Sequence, residues 1–139
     1  MLLLDTHAWI WALEGDTRRI GRRTRRLLER AAARDEIRIS PVSVFEVCAL
    51  HAAGRLRLPR PLEQWIHAAL EPSGIRLAPL SLEAAVDAGA IGRALVPDPL
   101  DRLIAATARQ MEAVLVTSDS TLLHYAATTR TVRVQDAAR

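Results

Sequence analysis

The fold of this chain is decided by the stretch Asp98-Pro99-Leu100-Asp101-Arg102-Leu103-Ile104-Ala105-Ala106-Thr107-Ala108. Pro99 suits the first position of a helix, because its φ is already near the helical value and it has no N–H to satisfy. Asp98 is held extended by the proline and suits the N-cap, while Asp101 falls in the first turn. The apolar run that follows predicts a helix buried against a large element. Ordinary helix capping also explains both acids, so capping and a functional site both stay open.

Two further acids stand where a predicted strand ends. Asp5 follows the apolar run 1–4, and Asp119 follows the run 113–117, whose β-branched residues make it the clearest strand of the chain. A turn at Asp5 and a helix cap at Asp119 are the structural alternatives to a functional role.

A third acid lies in an apolar face of a predicted helix over 41–53. Glu46 shares that face with Val42, Ala49 and Ala53 at helical spacing. A buried carboxylate needs a partner, a proton or a metal ion, unless its head reaches water at the rim of the core.

Strands and helices alternate along the whole chain. Strands are predicted at 1–4, 36–39, 75–80, 113–117 and 132–134, and helices at 7–14, 17–34, 41–53, 62–70, 81–95, from 98 onward and at 121–127. This order predicts one α/β domain over 1–139, a three-layer sandwich with a central, mainly parallel sheet of about five strands flanked by helices. Ligands of such folds bind outside the carboxyl ends of the strands, where Asp5 and Asp119 are expected.

Composition excludes several classes of protein. The single cysteine, Cys48, cannot form an internal disulfide, and no apolar run approaches the roughly 20 residues of a membrane span. The run 1–4 is too short for a signal peptide, so we expect a cytoplasmic protein without a membrane segment. Glycine-rich phosphate loops, nucleophile elbows and paired zinc-ligand spacings are all missing from the sequence.

Positive charge is concentrated in one segment. The chain has a net charge of +3 and no lysine, and segment 18–34 opposes only Glu29 to a run of arginines: Arg18, Arg19, Arg22, Arg23, Arg25, Arg26, Arg30 and Arg34. This segment is either a solvated helix face or a surface for a polyanion or an acidic protein.

The candidate acids predict one kind of chemistry if they converge. Like charges would raise their pKa values and destabilise the fold unless a cation lies among them. Ligands that are all oxygen favour Mg²⁺ or Mn²⁺. Such an ion lowers the pKa of a bound water and stabilises charge on a phosphodiester, and a carboxylate of the same cluster can act as general base. The residues therefore predict phosphodiester hydrolysis.

Four motifs in this order resemble the PIN domain, specifically the VapC-type toxins of type II toxin–antitoxin systems. They are Leu4-Asp5-Thr6-His7, Ser43-Val44-Phe45-Glu46, the stretch from Asp98 to Ala106, and Val116-Thr117-Ser118-Asp119. The likeness covers nearly the whole chain. The family's four acids fall on Asp5, Glu46, Asp101 and Asp119. The histidine that the family often carries shortly before the Asp-Pro pair is missing, since Ala94 and Leu95 stand there.

The resemblance implies a Mg²⁺- or Mn²⁺-dependent endoribonuclease that forms homodimers and is neutralised by an antitoxin whose tail blocks the acidic groove. It makes the four matching acids catalytic, with Asp5, Asp101 and Asp119 holding the metal and Glu46 as ligand or base. The hypothesis for the reaction is in-line attack of metal-activated water on an RNA phosphodiester.

Further residues are assigned supporting parts in this hypothesis. Asp98 either joins the metal through water or only caps its helix, Thr6 and Ser118 support the acids with hydroxyls, and RNA contacts are predicted for Arg102, Arg22 and Arg26. Two alternatives stay open: a catalytically silent module that binds RNA or a protein, and a metal-dependent nuclease or phosphatase with another substrate.

Overall fold

The computed structural model describes residues 1–72 and 74–139. The turn that the sequence Pro72-Ser73-Gly74 predicts includes Ser73, which lies outside the described residues. The strands are β1 (Leu2–Leu4), β2 (Ile37–Ile39), β3 (Ile75–Leu77), β4 (Val114–Thr117) and β5 (Arg133–Asp136). The helices are α1 (Thr6–Glu14), α2 (Arg22–Ala33), α3 (Pro41–Ala52), α4 (Leu62–Leu70), α5 (Leu82–Ala90), α6 (Pro99–Gln110) and α7 (Ser120–Thr129).

The five strands form one sheet in the order β3-β2-β1-β4-β5, and each neighbouring pair is parallel. This confirms the α/β sandwich predicted from the alternation of elements, with every strand parallel. Strand β1 lies in the centre, between β2 and β4. The carboxyl ends of β1, β2 and β4 therefore meet at one edge of the sheet, where α1, α3 and α7 begin.

Side chains alternate along each strand, so apolar residues lie on both faces of the sheet and helices cover each face. Leu3 and Leu115 belong to the core beneath α5, α6 and α7. Leu4 and Val116 belong to the opposite core, beneath α1, α2, α3 and α4. These strands carry continuous apolar runs because each is buried on two sides.

Helix α6 forms as its sequence predicts. Pro99 occupies the first turn, and the Asp98 carboxylate accepts a 2.8 Å hydrogen bond from the backbone N–H of Leu100. The five residues from Ile104 to Ala108 are all buried. Helix α6 packs most extensively on α5, and the alanines of both helices allow the close approach.

Two predicted helices are shorter in the structure for local reasons. Helix α2 begins at Arg22 and not at residue 17, because the Asp16 carboxylate accepts the backbone N–H groups of Arg18 and Arg19 and closes a turn there. Helix α5 ends at Ala90 and not at residue 95, since Ile91 is already extended and the chain must return to the start of α6.

Other boundaries differ by a few residues. Strand β3 stops at Leu77 instead of residue 80, just before Pro79, which cannot donate to a neighbouring strand. Helix α7 continues to Thr129, two residues past the predicted end, and β5 extends to Asp136. In the described part of the chain, no helix is long and apolar enough to cross a membrane.

Candidate active site

Asp5 lies at the centre of the acidic edge because of the pairing of β1 with β4. Leu4 is in register with Val116, so the next residues, Asp5 and Thr117, lie side by side. The Thr117 hydroxyl donates a 2.7 Å hydrogen bond to Asp5 Oδ2, and the Thr6 backbone N–H donates 2.8 Å to Oδ1. Burial raises the pKa of Asp5, and these two hydrogen bonds oppose that shift only in part.

Asp119 is tied to the same threonine. Its backbone N–H donates to Thr117 Oγ1 at 3.0 Å, while its Oδ1 caps α7 by accepting from the N–H groups of Thr121 and Leu122. The negative charge of Asp119 contributes to the raised pKa of Asp5, so the two carboxylates repel each other electrostatically. Capping and a functional role of Asp119 are thus compatible, because only Oδ1 accepts the capping hydrogen bonds among the described residues, and Oδ2 is left for another partner.

Glu46 reaches the edge from α3. Its Oε1 accepts a 2.9 Å hydrogen bond from the hydroxyl of Thr6, which also lies 3.0 Å from the Ser43 hydroxyl. Burial raises the pKa of Glu46, the Thr6 hydrogen bond lowers it, and the charge of Asp5 raises it further. The exposed imidazole of His7 lowers the pKa of both acids from the rim.

Asp101 faces all the other acids from the first turn of α6. Its carboxylate is half-buried and accepts no hydrogen bond from the described residues. Burial is the largest cause of its raised pKa, followed by the charges of four acids, and together they bring it to about 7: Asp5, Asp98, Asp119 and Glu46. The five acids that the sequence singled out therefore share one electrostatic field.

Among the described residues, no arginine forms an ion pair with these five acids, and only His7 opposes their charge from the rim. The ion pairs within residues 1–72 and 74–139 involve other acids: Asp16, Asp35, Asp87 and Asp136. The donors at the edge are carboxylate and hydroxyl oxygens, the set that Mg²⁺ and Mn²⁺ prefer. As the side chains stand, no three acids, histidines or cysteines of the described residues are grouped closely enough to hold an ion. The charge and chemistry of the donors fit a hard divalent cation, provided that the carboxylates draw together around it.

The predicted supporting residues lie in different places. Thr6 is fully buried and touches both Asp5 and Glu46, whereas Ser118 is exposed and makes no hydrogen bond to the acids within the described structure. The hydroxyl that joins two of the acids belongs instead to Thr117, for which the sequence predicts no part in the site. The signal that points to it is the register of β1 with β4, which requires knowing that these strands are neighbours.

Of the three predicted RNA-contact arginines, Arg102 lies on α6 and the other two lie on α2. Arg102 is half-buried, its Nη2 donates to the carbonyl of Pro97 at 3.4 Å, and its buried Nε has no partner among the described residues. Arg22 and Arg26 are exposed on α2.

Comparison with protein families identifies the family of the chain. The family model described as the PIN domain matches residues 2–127. Comparison with curated protein sequences finds no match.

Solved structures with a similar fold cover almost the whole chain. The structure of VapBC2 from Rickettsia felis bound to a DNA fragment from its promoter aligns with a TM-score of 0.68 at 16% identity, over 96% of each chain. DNA-bound VapBC from Salmonella typhimurium aligns at 0.67 and 19%, over 97% of this chain and 96% of that one. FitAcB from Neisseria gonorrhoeae aligns at 0.64 and 24%, over 99% and 98%. At these identities the likeness concerns the fold.

Proposed function

The chain belongs to the PIN domain family, and on that basis we propose that it is a divalent-metal-dependent endoribonuclease, the VapC-type toxin of a type II toxin–antitoxin pair. The observation that carries this proposal is the burial of Asp101 among four other acids. Its carboxylate is half-buried and has no hydrogen-bond donor in the part of the chain that the structure describes. Burial and four neighbouring acids raise its pKa to about 7, so it destabilises the fold unless a cation joins it. A cluster of acids with raised pKa values at the carboxyl edge of a parallel sheet is a candidate functional site.

Three acids are proposed to hold the ion: Asp5, Asp101 and Asp119. Asp98 caps α6 through Oδ1 and is proposed to join through water or not at all. Bound Mg²⁺ or Mn²⁺ would supply a more acidic water and charge stabilisation for the phosphodiester.

The chain's own residues supply orientation and a base. Thr117 fixes Asp5 and Asp119 relative to each other, since its one hydroxyl donates to the first and accepts from the backbone of the second. Thr6 holds Glu46 through Oε1, which leaves Oε2 to accept a proton from the attacking water. The raised pKa of Glu46 brings this acid nearer to the neutral range in which a general base works best.

Two protein partners belong to the proposal. The similar solved structures include VapBC complexes, which supports a cognate antitoxin that covers the acidic edge. Leu82 and Val86 lie one turn apart on α5 and are 75% and 67% exposed, which supports a second copy of the chain covering this apolar face. The expected location stays the cytoplasm.

The experiment that tests the activity is a Mg²⁺ titration of RNA cleavage by the purified chain and by Asp101→Asn. Asp35→Asn is the matched control, because Asp35 lies before β2, at the opposite edge of the sheet, with a φ of 60° that asparagine tolerates. We expect metal-dependent cleavage by the wild type and the control, and none by Asp101→Asn. Isothermal titration with Mn²⁺ measures binding separately.

The outcomes distinguish the alternatives. Metal binding without cleavage of RNA, DNA or a phosphomonoester would favour a silent binding module. Cleavage of DNA or a phosphomonoester in preference to RNA would reassign the substrate. Equal cleavage by wild type and Asp101→Asn would leave Asp101 outside the chemistry and overturn the proposed site.

A further inference from the structure

A groove of about 870 Å³ lies on α2, and the described residues that line it are all charged. Five arginines oppose one acid there: Arg22, Arg23, Arg26, Arg30 and Arg139 against Glu29. Among the described residues, the only ion pair that involves these arginines is the 3.9 Å contact of Arg139 with Asp136. The four arginines of α2 are exposed and free to bind an anion.

The arrangement works against the stability of the helix that carries it. Arg22 and Arg23 occupy the first turn of α2, where the helix dipole favours acids, and that turn contains no acid. Arg22, Arg26 and Arg30 are each one turn apart, and like charges at this spacing repel. A local pattern that conflicts with folding in this way is expected where the residues serve binding.

The groove lies at the same edge of the sheet as the acids. The carbonyl of Thr117 accepts a 2.9 Å hydrogen bond from the N–H of Ala137, and the carbonyl of Ala137 accepts 2.8 Å from the N–H of Gly21, directly before α2. The buried Thr24 fixes the same junction, since its hydroxyl donates to the carbonyl of Asp136. Two backbone hydrogen bonds therefore separate the start of α2 from the threonine that orients Asp5.

The lining also indicates the chemistry of the ligand. Among the described residues, no aromatic side chain lines the groove, so it offers no stacking for bases, and its apolar surface consists only of the aliphatic stems of charged side chains. Arginine forks match phosphate oxygens well. A substrate that must approach five carboxylates also needs attraction from elsewhere on the same edge.

We propose that this arginine groove binds the phosphate backbone of single-stranded RNA beside the bond that the acidic edge cleaves. The inference rests on the proposed ribonuclease activity for the identity of the nucleic acid. The groove reads phosphates and not bases, so it contributes affinity and positioning without sequence preference.

The test compares two triple variants of equal charge. Arg22→Gln/Arg26→Gln/Arg30→Gln empties the groove of its central charges. Arg34→Gln/Arg130→Gln/Arg133→Gln removes three exposed arginines at the opposite edge, where α2 and α7 end and β5 begins. Binding of a fluorescent oligouridine is measured by anisotropy in EDTA, where no cleavage occurs, across a range of salt concentrations.

For single strands, each neutralised phosphate contributes about 0.7 to the slope of log K against log salt. The groove variant is expected to lose about 2 from that slope and roughly 100-fold in affinity at about 0.1 M salt, while the control stays near wild type. It is also expected to melt at a higher temperature than wild type, which a structural role for these arginines would not produce.

Equal losses in both triple variants would reduce the effect to net charge and overturn the inference. If the groove variant binds RNA as tightly as the wild-type protein but no longer binds a polyglutamate peptide, the groove is assigned to an acidic protein instead. The proposed activity can fail independently of the groove. If the variants bind RNA as expected but the wild type shows no Mg²⁺-dependent cleavage, the phosphate groove stands and the nuclease activity is rejected. Mg²⁺-dependent cleavage by the wild type, with unaltered RNA binding by the groove variant, would keep the nuclease and overturn the phosphate groove.

Discussion

The hydroxyl of Thr117 joins Asp5 and Asp119, although Asp5 lies 112 residues away in sequence. It donates to Asp5 Oδ2 at 2.7 Å and accepts from the Asp119 backbone at 3.0 Å, so a single oxygen sets the relative position of two acids. The threonine is fully buried at the end of β4, where water cannot replace it.

Thr117→Val keeps the shape of the side chain and removes this link. We expect a loss of about 1–3 kcal/mol in the free energy of unfolding, because the N–H of Asp119 and an oxygen of Asp5 lose a buried partner. RNA cleavage is expected to fall on the order of tenfold at temperatures where the variant is folded, since misplaced catalytic groups are costly. Urea unfolding and cleavage kinetics measure the two effects.

Thr107→Val is the control, because Thr107 is also buried but its hydroxyl donates, among the described residues, only to the carbonyl of Leu103 within α6. Cleavage by this variant is expected to stay within about twofold of wild type. If both valine variants lose activity equally, the loss reports general destabilisation and the link between the acids is unimportant.

Asp101→Asn is expected to stabilise the metal-free protein. The folded-state pKa of Asp101 is raised from 3.8 to about 7, so the folded state holds a proton that the unfolded state releases. The contribution of this group to stability therefore falls as pH rises from about 3.8 to about 7, and it stays low above that. The asparagine removes this slope.

The gain at neutral pH should be on the order of 1 kcal/mol, because Asp101 is only half-buried and solvent screens its repulsion. Urea unfolding in EDTA at several pH values measures it. Added Mg²⁺ should reverse the order of the two proteins, since only the wild type has the full ligand set. A wild type more stable than Asp101→Asn without metal would contradict the repulsion.

Asp87→Asn tests the junction of α5 with α6. Arg109 Nε donates to Asp87 Oδ2 at 2.8 Å and its Nη2 bonds the other oxygen, which holds the pKa of Asp87 below its usual value. This stability is present above pH 3.8 and is lost as pH falls through the lowered pKa. The substitution should lower the free energy of unfolding at pH 7 by about 1–2 kcal/mol.

The same substitution at Asp35 is the comparison, since its ion pair with Arg76 is far more exposed and should contribute little. Thermal melts at pH 7 and at acidic pH separate the two sites. The difference between wild type and Asp87→Asn should shrink in acid; a difference that grows there would reverse the sign of the argument.

Gly21→Ala tests how tightly the start of α2 is packed. A Cβ at this position would lie 2.1 Å from the carbonyl oxygen of Arg139, so the backbone must move. We expect destabilisation by about 1–3 kcal/mol from this overpacking and weaker RNA binding, since the groove arginines follow at once. Gly89→Ala has open space in α5 and should stabilise by up to about 1 kcal/mol. Thermal melts and anisotropy compare them.

The sequence was sufficient for the fold and for the acids that face one another. Apolar runs followed by Asp5 and Asp119, and the Pro99 helix start, are local signals that depend on nearest neighbours. Thr117 could not be assigned in this way, because its role requires β1 and β4 to be adjacent. The early end of α5 is also a tertiary effect: Ala94 and Leu95 fit a helix, but the chain must turn back toward Asp98.

The central place of β1 in the sheet has a consequence for synthesis on the ribosome. Its neighbour β4 is made more than 100 residues later, and Asp119 follows β4. A nascent chain therefore carries Asp5 and Glu46 long before it can assemble the edge that contains them. Such long-range pairing delays folding until most of the chain has emerged. Under the proposed function, the messenger RNA that encodes this protein would be protected during translation, because an unfinished copy has no assembled acidic edge with which to cut it.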